Sequence, residues 1–201
     1  AQIDDDGDGI FEQIILAGNE FTGEDYLSNI PKWLKEKTRE ALEEVKTGDK
    51  HVDKKIDDVL KYMEKSLAPG LWIDNTHLNP RKGKKVFHYE GQAVSRLNAY
   101  LPPNKLSKRH KLPEQVQSVF VQAIADLIKT DKILVQIAIN EARSTPVNDQ
   151  KYQRKFNKII KQVEATINKA DKHKKKNFRS VINHCSQAWE LAQKAIRYAT
   201  K

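Results

Sequence analysis

One cysteine, one methionine and eight glycines are spread over 201 residues, and each scarcity removes a class of protein. Cys185, the lone cysteine, has no partner for an intrachain disulfide, so the fold has to rest on its core, for which this length suffices. Export is not excluded by that lack, because a chain of this size needs no disulfides outside the cell. No apolar run is long enough for a membrane span, and Ala1 starts neither a charged n-region nor an h-region, so the expectation is a mature chain or a fragment without a span. No G-x-S-x-G, P-loop, H-E-x-x-H or C-x-x-C occurs, and the glycines are too few for a phosphate cradle. The expectation is therefore no enzyme, with no catalytic residue assigned.

Positive charge is missing from one end. Residues 1–31 hold eight of the 27 Asp and Glu (Asp4, Asp5, Asp6, Asp8, Glu12, Glu20, Glu24, Asp25) and none of the 36 Lys and Arg. The remainder therefore sets 36 basic groups against 19 acidic ones. Such asymmetry separates an acidic segment, 1–29, from a basic domain, 30–201, with a possible subdivision into 30–101 and 113–201.

In the basic part, apolar residues recur at helical spacing. Pro31 suits a first helical turn, followed by Leu34, Thr38, Ala41, Leu42 and Val45 until Gly48. Val52, Ile56, Val59, Leu60, Met63 and Leu67 form a second stripe, closed by Pro69-Gly70. An aperiodic connector precedes a third helix, from about Val86 to Leu101. In the connector, Leu71, Trp72 and Ile73 can seal the bundle while Asp74, Asn75 and Thr76 satisfy N–H groups at helix starts. A fourth helix, opened by Pro113, meets Asp131 on its apolar stripe. It either breaks at Thr130-Asp131 or buries a paired aspartate, and the absence of Gly and Pro from 114 to 145 favours continuity. Two long helices end the chain, one carrying Phe156 and Ile159, the other Val181, Cys185 and Trp189. The fold class expected is mainly α, an up-and-down bundle of about six helices with a short N-terminal calcium-loop and strand segment. On the apolar stripes, Glu90 and Asp131 are the polar exceptions.

The acidic end has a pattern of its own. Asp4-x-Asp6-x-Asp8-Gly9-x-x-Glu12 puts side-chain oxygens at loop positions 1, 3, 5 and 9. Calcium takes six to eight oxygens at about 2.3–2.6 Å, and a turn through Gly9 lets three aspartates converge with the Ile10 carbonyl. An EF-hand starts the same way, but its bidentate Glu position is Ile15 here. The spacing is similar to calcium loops that join β-strands in propeller blades and β-sandwich edges, and the run Ile10–Ala17 suits a strand. The metal site expected is Asp4, Asp6, Asp8, Ile10 and Glu12, with a structural calcium ion. His77 and His88 are read as hydrogen-bonding spacers rather than zinc ligands, and His184 and Cys185, adjacent on one helix, as rim and core.

Two stretches carry a resemblance: IDDVLKYMEKSLAPGLWIDNTHLNPRKGKKVFHYEGQAVSRL, and ILVQIAINEAR followed after a spacer by FRSVINHCSQAWELAQKA. Together they resemble a helical C-terminal accessory module of large secreted and surface proteins of archaea and bacteria, often preceded by a D-x-D-G-D-G segment. With the linking helices the resemblance covers residues 50–199. Asn79 stands where that pattern has Asp, and Cys185 where it has Tyr. The resemblance implies an extracellular or cell-surface accessory domain, and it supplies no catalytic residues.

Lysine and arginine clusters lie at Arg81–Lys85, at Lys105, Lys108, Arg109 and Lys111, and at Lys172, Lys174, Lys175 and Lys176. An up-and-down path brings the last two to one end of the bundle, as a surface for anionic polymer. Few aromatics interleave with them, which argues against nucleic acid. The leading expectation is a structural or interaction module that docks to its parent chain, to copies of itself or to cell-surface polymer. A polyanion-binding domain comes second, and the C-terminal part of a secreted hydrolase third. Calorimetric titration with calcium should show one site, lost in Asp6→Ala or Asp8→Ala, and no heat at millimolar calcium contradicts the loop reading.

Overall fold

The computed structural model describes residues 2–3, 13–14, 30–45, 47–173 and 177–201. Gln2–Ile3 (β1) pairs antiparallel with Gln13–Ile14 (β2), Gln2 standing opposite Ile14, so part of the expected Ile10–Ala17 strand is present. The expected calcium ligands Asp4, Asp6, Asp8, Ile10 and Glu12 lie outside the described residues.

From Pro31 onward the described chain is a helical bundle. Its helices are α1 (Pro31–Glu43), α2 (Lys50–Ser66), α3 (Lys84–Ala99), α4 (Lys105–Arg109), α5 (Glu114–Ser144), α6 (Gln150–His173) and α7 (Phe178–Ala199). Six of them stand where the apolar periodicity predicts a helix. The addition is α4, whose five residues are too few to display a repeating apolar face.

Contacts between helix ends give the directions. Lys32 at the start of α1 donates its N–H to the Asn75 carbonyl in the connector, 3.1 Å away. His51 at the start of α2 lies edge-on to Tyr100, just past the end of α3. The N–H of Asn148, ahead of α6, reaches the carbonyl of Ala199, the last residue of α7. Apart from the single turn of α4, successive helices alternate up and down. One core, from Leu42 to Ala199, runs through all of them except α4.

At about 46 Å, α5 is the longest described helix of the bundle. It passes unbroken through Thr130-Asp131. Thr130 bonds back to the Asp126 carbonyl at 2.7 Å instead of capping a new helix, and Asp131 stays helical and fully buried. In α1 the buried face differs from the expected one. Pro31, Lys35, Thr38 and Leu42 face inward, while Ala41 is exposed and Leu34 is only half-buried.

The connector packs as a short clasp. Leu71 and Trp72 are buried as expected, and the Trp72 indole N–H donates to the Ser66 carbonyl at 2.8 Å. Ile73, expected to help seal the bundle, is 65% exposed. Asp74 serves its own loop rather than a helix start, accepting from the N–H groups of Thr76 and His77 at 2.7 and 2.6 Å. Asn75 does meet a helix start, through its carbonyl.

The clasp closes at Gly83. A Cβ there would stand 2.6 Å from Leu78 Cβ, 2.9 Å from the Asn79 carbonyl and 3.0 Å from Trp189 Cη2, so only glycine lets the connector, α3 and α7 meet. Trp189 also packs against Phe87 at 6.0 Å between ring centroids. Trp189→Ala should therefore lower stability by about 3–5 kcal/mol, read as a shift of the urea midpoint, and an unchanged midpoint would mean that the indole contributes no packing.

Candidate functional site

The bundle buries one cluster of ionisable groups in the middle of three helices. Lys35 comes from α1, Glu90 from α3 and Asp131 from α5, and none of the three side chains has any exposed surface. Helical spacing puts them there. Lys35 lies four residues beyond Pro31 and three before Thr38 on the inward face of α1. Glu90 follows Phe87 and precedes Val94 on the stripe of α3, and Asp131 follows Leu127 and precedes Leu134 and Val135 on that of α5.

The Lys35 ammonium donates to both Glu90 oxygens at 2.6 Å and to Asp131 Oδ1 at 3.1 Å. Asp131 Oδ2 accepts from no donor among the described residues. Two carboxylates against one ammonium would leave a net negative charge where no water reaches, and such a charge is far costlier than a proton. Burial first, and then the neighbouring Glu90 charge, push the Asp131 carboxyl well above its usual range, with the ammonium pulling the other way. A proton on Asp131 turns that unmatched oxygen from an acceptor into a donor. For Lys35, burial acts to discharge the amine, but Asp131 and Glu90 outweigh it and hold its pKa above the usual value. The resting cluster is an ammonium–carboxylate pair beside a neutral acid.

Glu90 and Asp131 were legible as polar residues on apolar stripes, whereas Lys35 was missed. A signal existed, since two carboxyl groups on core stripes call for a basic partner. In PKWLKEKTREALE, Lys35 is the cation in phase with Pro31, Thr38 and Leu42.

A second polar group sits where α2 begins and α3 ends. Asp49 caps α2 by accepting from the N–H groups of His51 and Val52, and its other oxygen meets His110 Nδ1 at 2.7 Å. The His110 hydrogen bond first, then the His51 N–H, hold the Asp49 carboxyl below its usual range. The His51 and His110 rings stack at 4.8 Å with Tyr100 edge-on to both, an arrangement that pins α4 and its flanks onto α2 and α3.

The other candidate residues are dispersed. Lys105, Lys108, Arg109, Lys111 and Lys172 keep at least part of their surface in solvent, and Lys174, Lys175 and Lys176 lie outside the described residues. Phe178, which opens α7, shares an apolar cavity of about 570 Å³ with Leu101, Ile124 and Ile128. The start of α7 therefore lies on the side where α3 ends and the 105–111 segment begins, and Arg81–Lys85 lie at the opposite end of α3. His77 bonds to Asp74, whose carboxyl burial acts to raise, while the Thr76 and His77 N–H groups together hold it below its usual range. His88 packs edge-on to Tyr89, and Cys185 is buried. Among the described residues no three His, Cys, Asp or Glu gather as a metal cluster, and no helix is long and apolar enough to cross a membrane.

Lys35→Met would strand two buried carboxyl groups without their cation. It should lower stability by about 3–5 kcal/mol in urea titration, while adding Glu90→Leu and Asp131→Leu recovers part of the loss. A single variant as stable as the parent would contradict the pairing. The chain matches no family of known proteins, no curated protein and no solved structure.

Proposed function

We propose that this chain is a non-catalytic structural or interaction module of an extracellular or cell-surface protein. It is pinned by one calcium ion at Asp4, Asp6, Asp8, Glu12 and the Ile10 carbonyl, and it docks to its parent chain or to copies of itself. The observation that carries this reading is the sealed cluster. Lys35, Glu90 and Asp131 have acid–base chemistry, yet all three are at 0% exposure, so they act on the fold and not on an outside substrate. Sedimentation velocity of the full chain over a dilution series, in millimolar calcium and in chelator, tests it. Calcium-dependent association is expected, and a chain that stays monomeric and melts identically in both conditions overturns it.

A second reading is supported by the shared wall of Leu101 and Phe178, which sets the start of α7 on the side where α3 ends. On that reading the chain binds anionic polymer, releasing its counterions. Neutralising Lys174, Lys175 and Lys176 should weaken retention on heparin and reduce the salt slope, since fewer counterions are released from the polymer. Neutralising Lys84 and Lys85 should change little, since Lys84 already pairs with Glu190 at 2.9 Å. A triple variant that elutes unchanged removes this reading.

A further inference from the structure

We propose that Lys35 and Asp131 become joined by an intramolecular isopeptide bond, formed by the folded chain itself with Glu90 transferring the protons. The inference goes beyond the module reading and does not rest on it.

Three observations converge. Lys35 Nζ stands 3.1 Å from Asp131 Oδ1, one bond from the carbon it would attack, within the range at which bound groups react at high effective concentration. Glu90 touches the nucleophile through both its oxygens at 2.6 Å, and the same Lys35 nitrogen bonds to Asp131, so the acid–base group and the carboxyl under attack meet at one nitrogen. All three side chains are fully buried, which keeps bulk water from competing and from hydrolysing the product.

The starting state is an ammonium on Lys35, a carboxylate on Glu90 and a carboxylic acid on Asp131, the form of that group which accepts a nucleophile. Transfer of one proton across the short contact to Glu90 leaves a free amine, the nucleophilic form of lysine. Nζ then bonds to Asp131 Cγ, and Glu90 protonates the departing hydroxyl while taking a second proton from nitrogen. The C–O bond breaks and one water leaves. The products are an amide carrying one N–H, a water and a protonated Glu90, so every atom and proton is accounted for and no oxidant, reductant or activating group is required. The free amine is the minor form, but a step that is not reversed in a dry core needs it only intermittently. The amide and a protonated Glu90 replace an ion pair and a neutral acid, so the cluster ends without charge, and the new bond ties α1 to α5 across 96 residues of chain.

Intact mass spectrometry of the purified full chain tests the proposal, with proteolytic mapping of the product. The expected mass is that of the sequence less one water, with the Lys35 and Asp131 peptides recovered as one branched species. Lys35→Arg should return the full mass. Glu90→Gln should do so too, or show a much reduced cross-linked fraction. A wild-type chain that keeps the full sequence mass after prolonged incubation in the folded state overturns the proposal, and that reading does not depend on whether any variant folds. Loss of water that persists in Lys35→Arg would place the dehydration elsewhere and overturns it equally.

Discussion

The contact between the Lys35 ammonium and two carboxyl groups is the constraint that the rest of the bundle accommodates. Apolar faces tolerate small slips of one helix along another, because hydrophobic burial has no direction. A buried charge does not, since any slip that separates it from its partners leaves it unsolvated. Lys35 bonds to Glu90 across 55 residues and to Asp131 across 96. Those two bonds fix the height and rotation of α1 relative to α3 and α5, and therefore where the connector and its Gly83 closure meet the bundle.

Much of this architecture was legible in the sequence, for physical reasons that differ between elements. Helices α2, α3, α5, α6 and α7 bury mostly apolar residues, so their faces appear as periodic stripes. Glu90 and Asp131 stood out because they interrupt such stripes. On α1 the same periodicity points to Leu34 and Ala41, because counting apolar residues cannot assign an inward position to lysine, and the buried face is set by Lys35 and its partners instead. Within the connector, Trp72 and Leu71 were placed correctly by bulk. Ile73 was not, because the bridge between Trp72 and Leu78 turns its side chain outward, and that depends on pairing rather than composition. The tie from His110 to Asp49 spans 61 residues, and no local pattern announces it.

Charge is distributed in two regimes. Most of the ion pairs lie on the surface, as in Arg143 with Glu164 and Lys151 with Asp149, where solvent screens them and each contributes little. The one fully buried cluster among the described residues is a different kind of object, costly to assemble and strict in geometry. A chain rich in lysine thus keeps its surface charge and its structural specificity in separate places. The basic segments can vary at the ends of the bundle without disturbing the single lysine at its centre.

The long sequence separations within that cluster also bear on the order in which the chain assembles. The pairings of α2 with α3 and of α6 with α7 are made by neighbours in sequence and close short loops, whereas seating α1 requires α3 and α5 to be in place already. Lysine gains nothing by leaving water before both acids are positioned, so α1 docks late, after the rest of the bundle has formed. The same logic runs in reverse. Until a lasting bond is made, α1 is the element that lets go first, and the length of time the folded chain holds it in place decides whether its attachment is reversible.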